Sequence, residues 1–189
     1  MEDLLLVGFG GHAKSVADCI ERHGKYHIAG YTDVKRCECK YEYLGSDEVF
    51  QSVYDSGVKN AAIVVGYMGK NDIRKSLYEK MKKIGFEFPV IVDPSSIISE
   101  SASIGEGTFV GKNAVINSDA VVGRMAIINT GSIVEHECIV GDYAHVAVGA
   151  VLCGKVSVGT AAFVGANATV IQCRKVEDYE IIPAGATIR

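Results

Sequence analysis

GEGTFV GKNAVI NSDAVV GRMAII NTGSIV EHECIV GDYAHV AVGAVL, residues 105 to 152, divides into hexads that each end on an aliphatic side chain. The same phase runs outward without a slip, to Ile98 and Ile104 upstream and to Val158, Val164, Val170, Val176, Ile182 and Ile188 downstream. Two positions before the aliphatic stands a small residue, as at Ala102, Thr108, Ala114, Ala120, Ala126, Ser132, Cys138, Ala144 and Ala150; Val156, Arg174 and Glu180 depart from that rule.

A helix cannot keep such a stripe on one side, because six steps of about 100° leave a side chain roughly 120° from its start. One extended strand cannot either, since strands run ~3–10 residues and no hairpin signal divides this stretch. A hexapeptide β-helix meets both conditions. Each hexad supplies a short strand and a turn, the aliphatic points inward, and the small residue leaves room at the corner. Three hexads close a coil, so each residue stacks on the one eighteen positions further on, and the unbroken phase leaves no place for a long loop. Glycine directly after the aliphatic, as at Gly105, Gly111, Gly123, Gly141, Gly159 and Gly165, is expected at positive φ in the turn. Arg174 and Glu180, polar where a small side chain belongs, predict an irregular last coil.

Upstream of Asp93-Pro94-Ser95-Ser96 the pattern changes. Short apolar runs over 4–7, 28–31 and 61–65 read as buried strands, with a closing strand over 88–92. Helical patterns lie between them: 12–22, then 47–54 with Ser46 and Asp47 as capping candidates, then 71–84 stopped by Gly85. Strand and helix in alternation imply a small Rossmann-like parallel sheet. The chain therefore reads as an α/β domain over 1–92 followed by an all-β parallel β-helix over 93–189.

A formal net charge of -4 and a pI near 5.7 argue against a nucleic-acid partner, which needs clustered Lys and Arg. No apolar run approaches the roughly 20 residues that span a bilayer, and the start lacks a signal-peptide pattern, so a soluble, cytoplasmic protein with no membrane partner is expected. The six cysteines never form a CxxC pair, which signals neither zinc nor a redox couple; Cys37-Glu38-Cys39 is the nearest approach.

Gly8 to Ala13, GFGGHA, falls between a strand and a helix, where helix-start N–H groups can receive a phosphate. It also fits GxGxxA, with Asp33 twenty residues beyond Ala13 near the place of a ribose-binding acid. A domain this short lacks room for the second half of a dinucleotide fold, so nucleotide-sugar binding and a purely structural turn remain the two main readings. His136 follows the inward Val134 by two places and belongs on the outer surface near a corner, with Ser118 and Gly154 as column neighbours. Gly154 clears space beside the imidazole. Glu137 could hold one ring nitrogen and leave the other basic, with Glu135 as a competitor. The plain alternative is a surface histidine among acids. His145, directly before the inward Val146, should face outward or across a subunit boundary, or else pack as a buried polar residue.

The hexads resemble the left-handed β-helix acyltransferases; their handedness comes from that likeness, since parallel crossovers are ordinarily right-handed. Joined to GFGGHAKSV and to VEHECIVGDYAHVAVGA, residues 134 to 150, they resemble the bacterial sugar acetyltransferases of sialic acid, bacillosamine and perosamine pathways. The resemblance implies a homotrimer that takes acetyl from acetyl-CoA as cosubstrate, with no metal. It implies His136 and Glu137 as the catalytic pair and His145, Ala166 and Ala184 as acetyl-CoA contacts. Nucleotide-sugar contacts would fall on Gly10, Gly11 and His12, on Thr32 and Asp33, and on Gly66. The leading expectation is N-acetylation of a nucleotide-linked 4-amino sugar. O-acetylation of sialic acid is the nearest alternative, and a non-catalytic sugar-nucleotide-binding scaffold the one from another class.

Overall fold

The structure, a computed structural model, describes residues 1–67 and 72–189. The chain divides into two compact units, Met1–Gly66 with Asp72–Ile91 and Val92–Arg189 with Tyr67.

The first unit is a parallel sheet flanked by helices. Its elements are β1 (Glu2–Val7), α1 (Gly11–His23), β2 (Tyr26–Thr32), β3 (Tyr43–Gly45), α2 (Phe50–Asp55), β4 (Asn60–Ile63) and α3 (Ile73–Ile84). The strand order is β3-β2-β1-β4. β1 sits centrally and Leu4, Leu5 and Leu6 are wholly buried, which is why it reads as a continuous apolar run rather than an alternating one. α1 buries Ala13, Val16, Ala17, Cys19 and Ile20 along one stripe and stops at Gly24, whose φ of 70° and N–H bond to the Ile20 carbonyl form a left-handed cap.

Several expectations need correcting here. The short edge strand β3 went unforeseen. The stretch over 47–54 splits into a 3₁₀ turn (Asp47–Val49) and α2, and Ser46 occupies the N-cap position without a side-chain hydrogen bond. The start placed at Asn71 lies outside the described residues. The closing strand over 88–92 does not form: Glu87 makes one parallel bridge to Asn60, Pro89 has no N–H to give a ladder, and Ile91–Val92 is instead the first rung of a prism face.

The second unit is a parallel β-solenoid of about five turns, of the left-handed β-helix family. Among the described residues its three sheets hold five, six and six two-residue rungs. Rungs pair at the eighteen-residue offset, as Ile133↔Val151 and Val134↔Leu152 show. Val110, Val134, Val146, Leu152, Val164 and Val170 fill the axis at 0% exposure, with Ala114, Ala120, Ala126, Ala144 and Ala150 tucked at the corners.

Positive φ does not fall on the glycines after the aliphatic. It falls two residues later, at Asn113 (54°), Asp119 (60°) and Glu137 (58°) and at Gly107 and Gly131. The glycines answer to space instead: a Cβ on Gly105 would stand 2.5 Å from the Arg124 nitrogen, and one on Gly159 2.5 Å from that of Asp178, both in the next coil. The last coil is also regular. Lys175 pairs with Ser157 and Thr187 with Thr169 in the register of the coils above, and Arg174 and Glu180 are exposed.

Candidate active site

Glu135, His136 and Glu137 form the corner between the rungs Ile133–Val134 and Ile139–Val140. The column on either side fixes the backbone. Glu137 N–H donates to the Ser118 carbonyl at 2.9 Å, and the His136 carbonyl accepts from Lys155 N–H at 3.0 Å. The corner turn requires the left-handed conformation of Glu137, and this throws its carboxylate alongside the preceding imidazole.

His136 Nδ1 lies 3.1 Å from Glu137 Oε2. A carboxylate only accepts, so Nδ1 donates to it, and Nε2 has no hydrogen-bond partner among the described residues. That nitrogen lies over Gly154, where an added Cβ would stand 2.5 Å away. Glu135 takes a different duty: its Oε2 accepts the Asn117 amide at 3.0 Å and the His136 N–H at 3.2 Å, and thereby braces the main chain. Lys155 Nζ stands 3.4 Å from Glu137 Oε1. The imidazole hydrogen bond first, and Lys155 after it, hold the Glu137 carboxyl below the usual carboxylate range. The pair stands open to solvent, with side-chain exposures of 53% and 48%.

His145 points away from the prism axis as expected, yet it is only 8% exposed. Tyr67 covers it. Nδ1 lies 2.7 Å from the Tyr67 carbonyl, Nε2 lies 3.1 Å from Asn129 Nδ2, and the Phe163 ring packs edge-on at 5.1 Å. Ala166 and Ala184 share one column, joined by the Gly185 N–H bond to the Ala166 carbonyl at 2.8 Å.

In the sheet unit the remaining candidates gather at the C-terminal ends of β1, β2 and β4, the usual ligand crevice of an open parallel sheet. Gly10 and Gly11 are exposed at the start of α1, and a Cβ on either would meet nothing within 4 Å. Gly66 faces His12 across the crevice, its Cβ position 3.8 Å from His12 Cβ. Asp33 spans the two turns, accepting Phe9 N–H and Val34 N–H, each at 2.7 Å. Thr32 is fully buried; its carbonyl accepts Gly8 N–H at 2.7 Å and its hydroxyl has no hydrogen-bond partner among the described residues.

Among the described residues no group of three or more His, Cys, Asp or Glu could hold a metal ion, and no helix is long and apolar enough to cross a membrane. The six cysteines are free thiols; burial pushes the Cys138 thiol up, and Cys37 and Cys39 direct theirs at the carbonyls of Lys35 and Tyr41.

Residues 3–81 match the PglD N-terminal domain family. A 112-residue stretch is 32% identical to the UDP-N-acetylbacillosamine N-acetyltransferase of Bacillus subtilis (strain 168), covering 58% of this chain and 51% of that protein; the match thus spans about half the length of the curated relative. PerB from Caulobacter crescentus, solved with CoA and GDP-perosamine, is 31% identical and agrees with a TM-score of 0.94 over 100% of this chain and 89% of its own. The chain belongs to the left-handed β-helix sugar acetyltransferases. A further solved member, the acetyltransferase domain of PglB from Neisseria gonorrhoeae bound to acetyl coenzyme A, is 28% identical with a TM-score of 0.90 over 99% of this chain and 92% of its own.

Sequence reasoning passed over Asn117, Asn129, Lys155 and Tyr67. Asn117 and Lys155 could have been found by stepping eighteen positions from Glu135 and Glu137. Asn129 sits sixteen positions before His145, off that column, and Tyr67 lies far upstream, so periodicity signals neither.

Proposed function

We propose that this chain transfers the acetyl group of acetyl-CoA to the amine of a nucleotide-linked amino sugar, with His136 as general base and Glu137 as its orienting partner. The observation that carries the reading is the bare Nε2 over Gly154, held there by the Nδ1 bond to Glu137. As the amine attacks the thioester carbonyl, Nε2 takes the nitrogen's proton. The tetrahedral intermediate then collapses, the C–S bond breaks, and the CoA thiolate leaves and recovers the proton from the imidazolium. Gly10, Gly11, His12, Asp33 and Gly66 form the nucleotide-sugar crevice. Thr32 contributes its carbonyl to the turn.

The working form in this reading is a homotrimer. Ala166 and Ala184, taken as acetyl-CoA contacts, stand on a different prism corner from His136, with a whole face between them. A neighbouring copy would bring the two kinds of corner together, and a three-fold arrangement closes that contact. Val121 and Ile139, 46% and 53% exposed on the face beside His136, supply apolar surface for it.

The test is acetyl-CoA turnover against UDP- and GDP-linked 4-amino sugars and sialic acid, followed by CoA release and product mass. Acetylation of a nucleotide amino sugar is expected. Acetylation of sialic acid alone would replace the substrate class, and CoA release with neither would remove the transferase reading in favour of a binding scaffold.

A further inference from the structure

Cys37 and Cys39 stand on the loop between β2 and β3, both half-buried and both free thiols. That loop is fastened along its length. Asp33 at its head accepts the Phe9 N–H at 2.7 Å, and at its foot Lys40 Nζ and the Tyr41 hydroxyl both donate to the Glu21 carboxylate, at 2.8 and 2.9 Å. Between these ends the hydroxyl of the fully buried Tyr31 accepts the Cys37 N–H at 2.7 Å and donates to the Cys37 carbonyl at 3.0 Å, and the Cys39 thiol reaches the same hydroxyl. One phenol oxygen thus gathers both cysteines. Residues two apart in a strand advance ~6.6 Å, inside the roughly 4.4–6.8 Å between Cα atoms that a disulfide spans. The chain here bends at Glu38 and Cys39, which shortens that distance, and Glu38, the residue a ring would enclose, is exposed. Each thiol is turned along the chain, Cys37 Sγ to the Lys35 carbonyl at 3.7 Å and Cys39 Sγ to the Tyr41 carbonyl at 3.6 Å. A thiol is a weak donor, so neither contact holds its sulfur firmly.

We propose that Cys37 and Cys39 form a two-electron oxidation site, which hydrogen peroxide closes into a disulfide within the loop. One thiolate sulfur attacks a peroxide oxygen, the O–O bond breaks, and the departing hydroxide takes up a proton as water, leaving a sulfenic acid. The second thiol then attacks that sulfur: an S–S bond forms, the S–O bond breaks and a second water leaves. The two sulfurs lose one electron each, and the peroxide oxygens gain both. A ring this small is strained, which leaves the bond open to reduction by glutathione. The other thiols lack this arrangement. Cys19 and Cys138 are wholly buried, and Cys153 and Cys173 have no second cysteine within two positions.

Trypsin, cutting after Arg36 and Lys40, frees Cys37-Glu38-Cys39-Lys40 as one peptide, so the fate of both sulfurs is read on a single fragment. The whole chain, treated with hydrogen peroxide and then alkylated and digested, should yield this peptide unalkylated and lighter by two hydrogens. Reduced glutathione, added before alkylation, should return it to the doubly alkylated form. Cys37→Ser and Cys39→Ser should each stop at a sulfenic acid on the remaining sulfur, trapped by dimedone. Tyr31→Phe removes the oxygen that gathers the pair, and ring closure should slow about fivefold, roughly what one net hydrogen bond contributes. Should the Phe variant fail to fold, the wild-type peptide and the serine variants still judge the site. Recovery of the doubly alkylated peptide while Cys173 is oxidised, or a disulfide that joins two chains instead of closing the loop, overturns the proposal.

Discussion

His136 and His145 both point outward from one regular prism, and their surroundings could hardly differ more. His136 sits on a corner, half exposed, with one nitrogen held by a carboxylate and the other bare over a glycine. His145 sits on a flat face, covered by Tyr67, with both nitrogens hydrogen-bonded to protein. A repeat fixes direction, and what covers the direction decides chemistry. A bare, solvent-reachable nitrogen can take a proton; one that already accepts an amide N–H has its lone pair engaged.

The sharpest way to break the contrast is His136→Ala. Loss of a general base costs ~10²- to 10⁴-fold in kcat, with thermal stability unchanged because the side chain is exposed. Gly154→Ala should come next. The new methyl would collide with the imidazole, and misplacing a reacting group by about 1 Å can cost ~10²-fold in rate; kcat should fall while the melting temperature holds, since an exposed ring can swing aside. Glu137→Gln keeps a hydrogen-bonding side chain but no charge, and about a tenfold drop in kcat is expected, less than the loss of the base itself because the imidazole remains.

The smallest effect belongs to Lys155→Gln. An exposed ion pair is screened by water and contributes little, so turnover should change little. The titration of Glu137 should still move. Its carboxyl is depressed in the folded chain, so its pairing is present above the unfolded value of about 4.3 and is lost as pH falls through the lower folded value. Removing the lesser cause should shift the midpoint upward, toward the ordinary range, by carbon-13 NMR of the Glu137 carboxyl; a downward shift would contradict the assigned cause.

The prism was legible because its rule is local: an aliphatic every sixth residue cannot be buried any other way, and the eighteen-residue column by itself puts Ser118 and Gly154 beside His136. Chemistry within two residues of the repeat was legible for the same reason. Tyr67 over His145 was not, because a contact spanning seventy-eight residues leaves no periodic trace. The glycines were found at the right positions for the wrong reason, since sequence shows that a side chain is missing without showing whether dihedral freedom or space demanded it. The strand expected over 88–92 failed for another cause: an apolar run with a proline inside can serve as a connector as readily as a rung.

One measurement reaches the central claim directly: kcat for acetyl transfer to a nucleotide-linked amino sugar, compared between the wild-type chain and His136→Asn at saturating acetyl-CoA, with product confirmed by mass spectrometry. The account predicts acetylated nucleotide sugar from the wild type and a loss of at least ~10²-fold in the variant. Wild-type turnover by His136→Asn would contradict it.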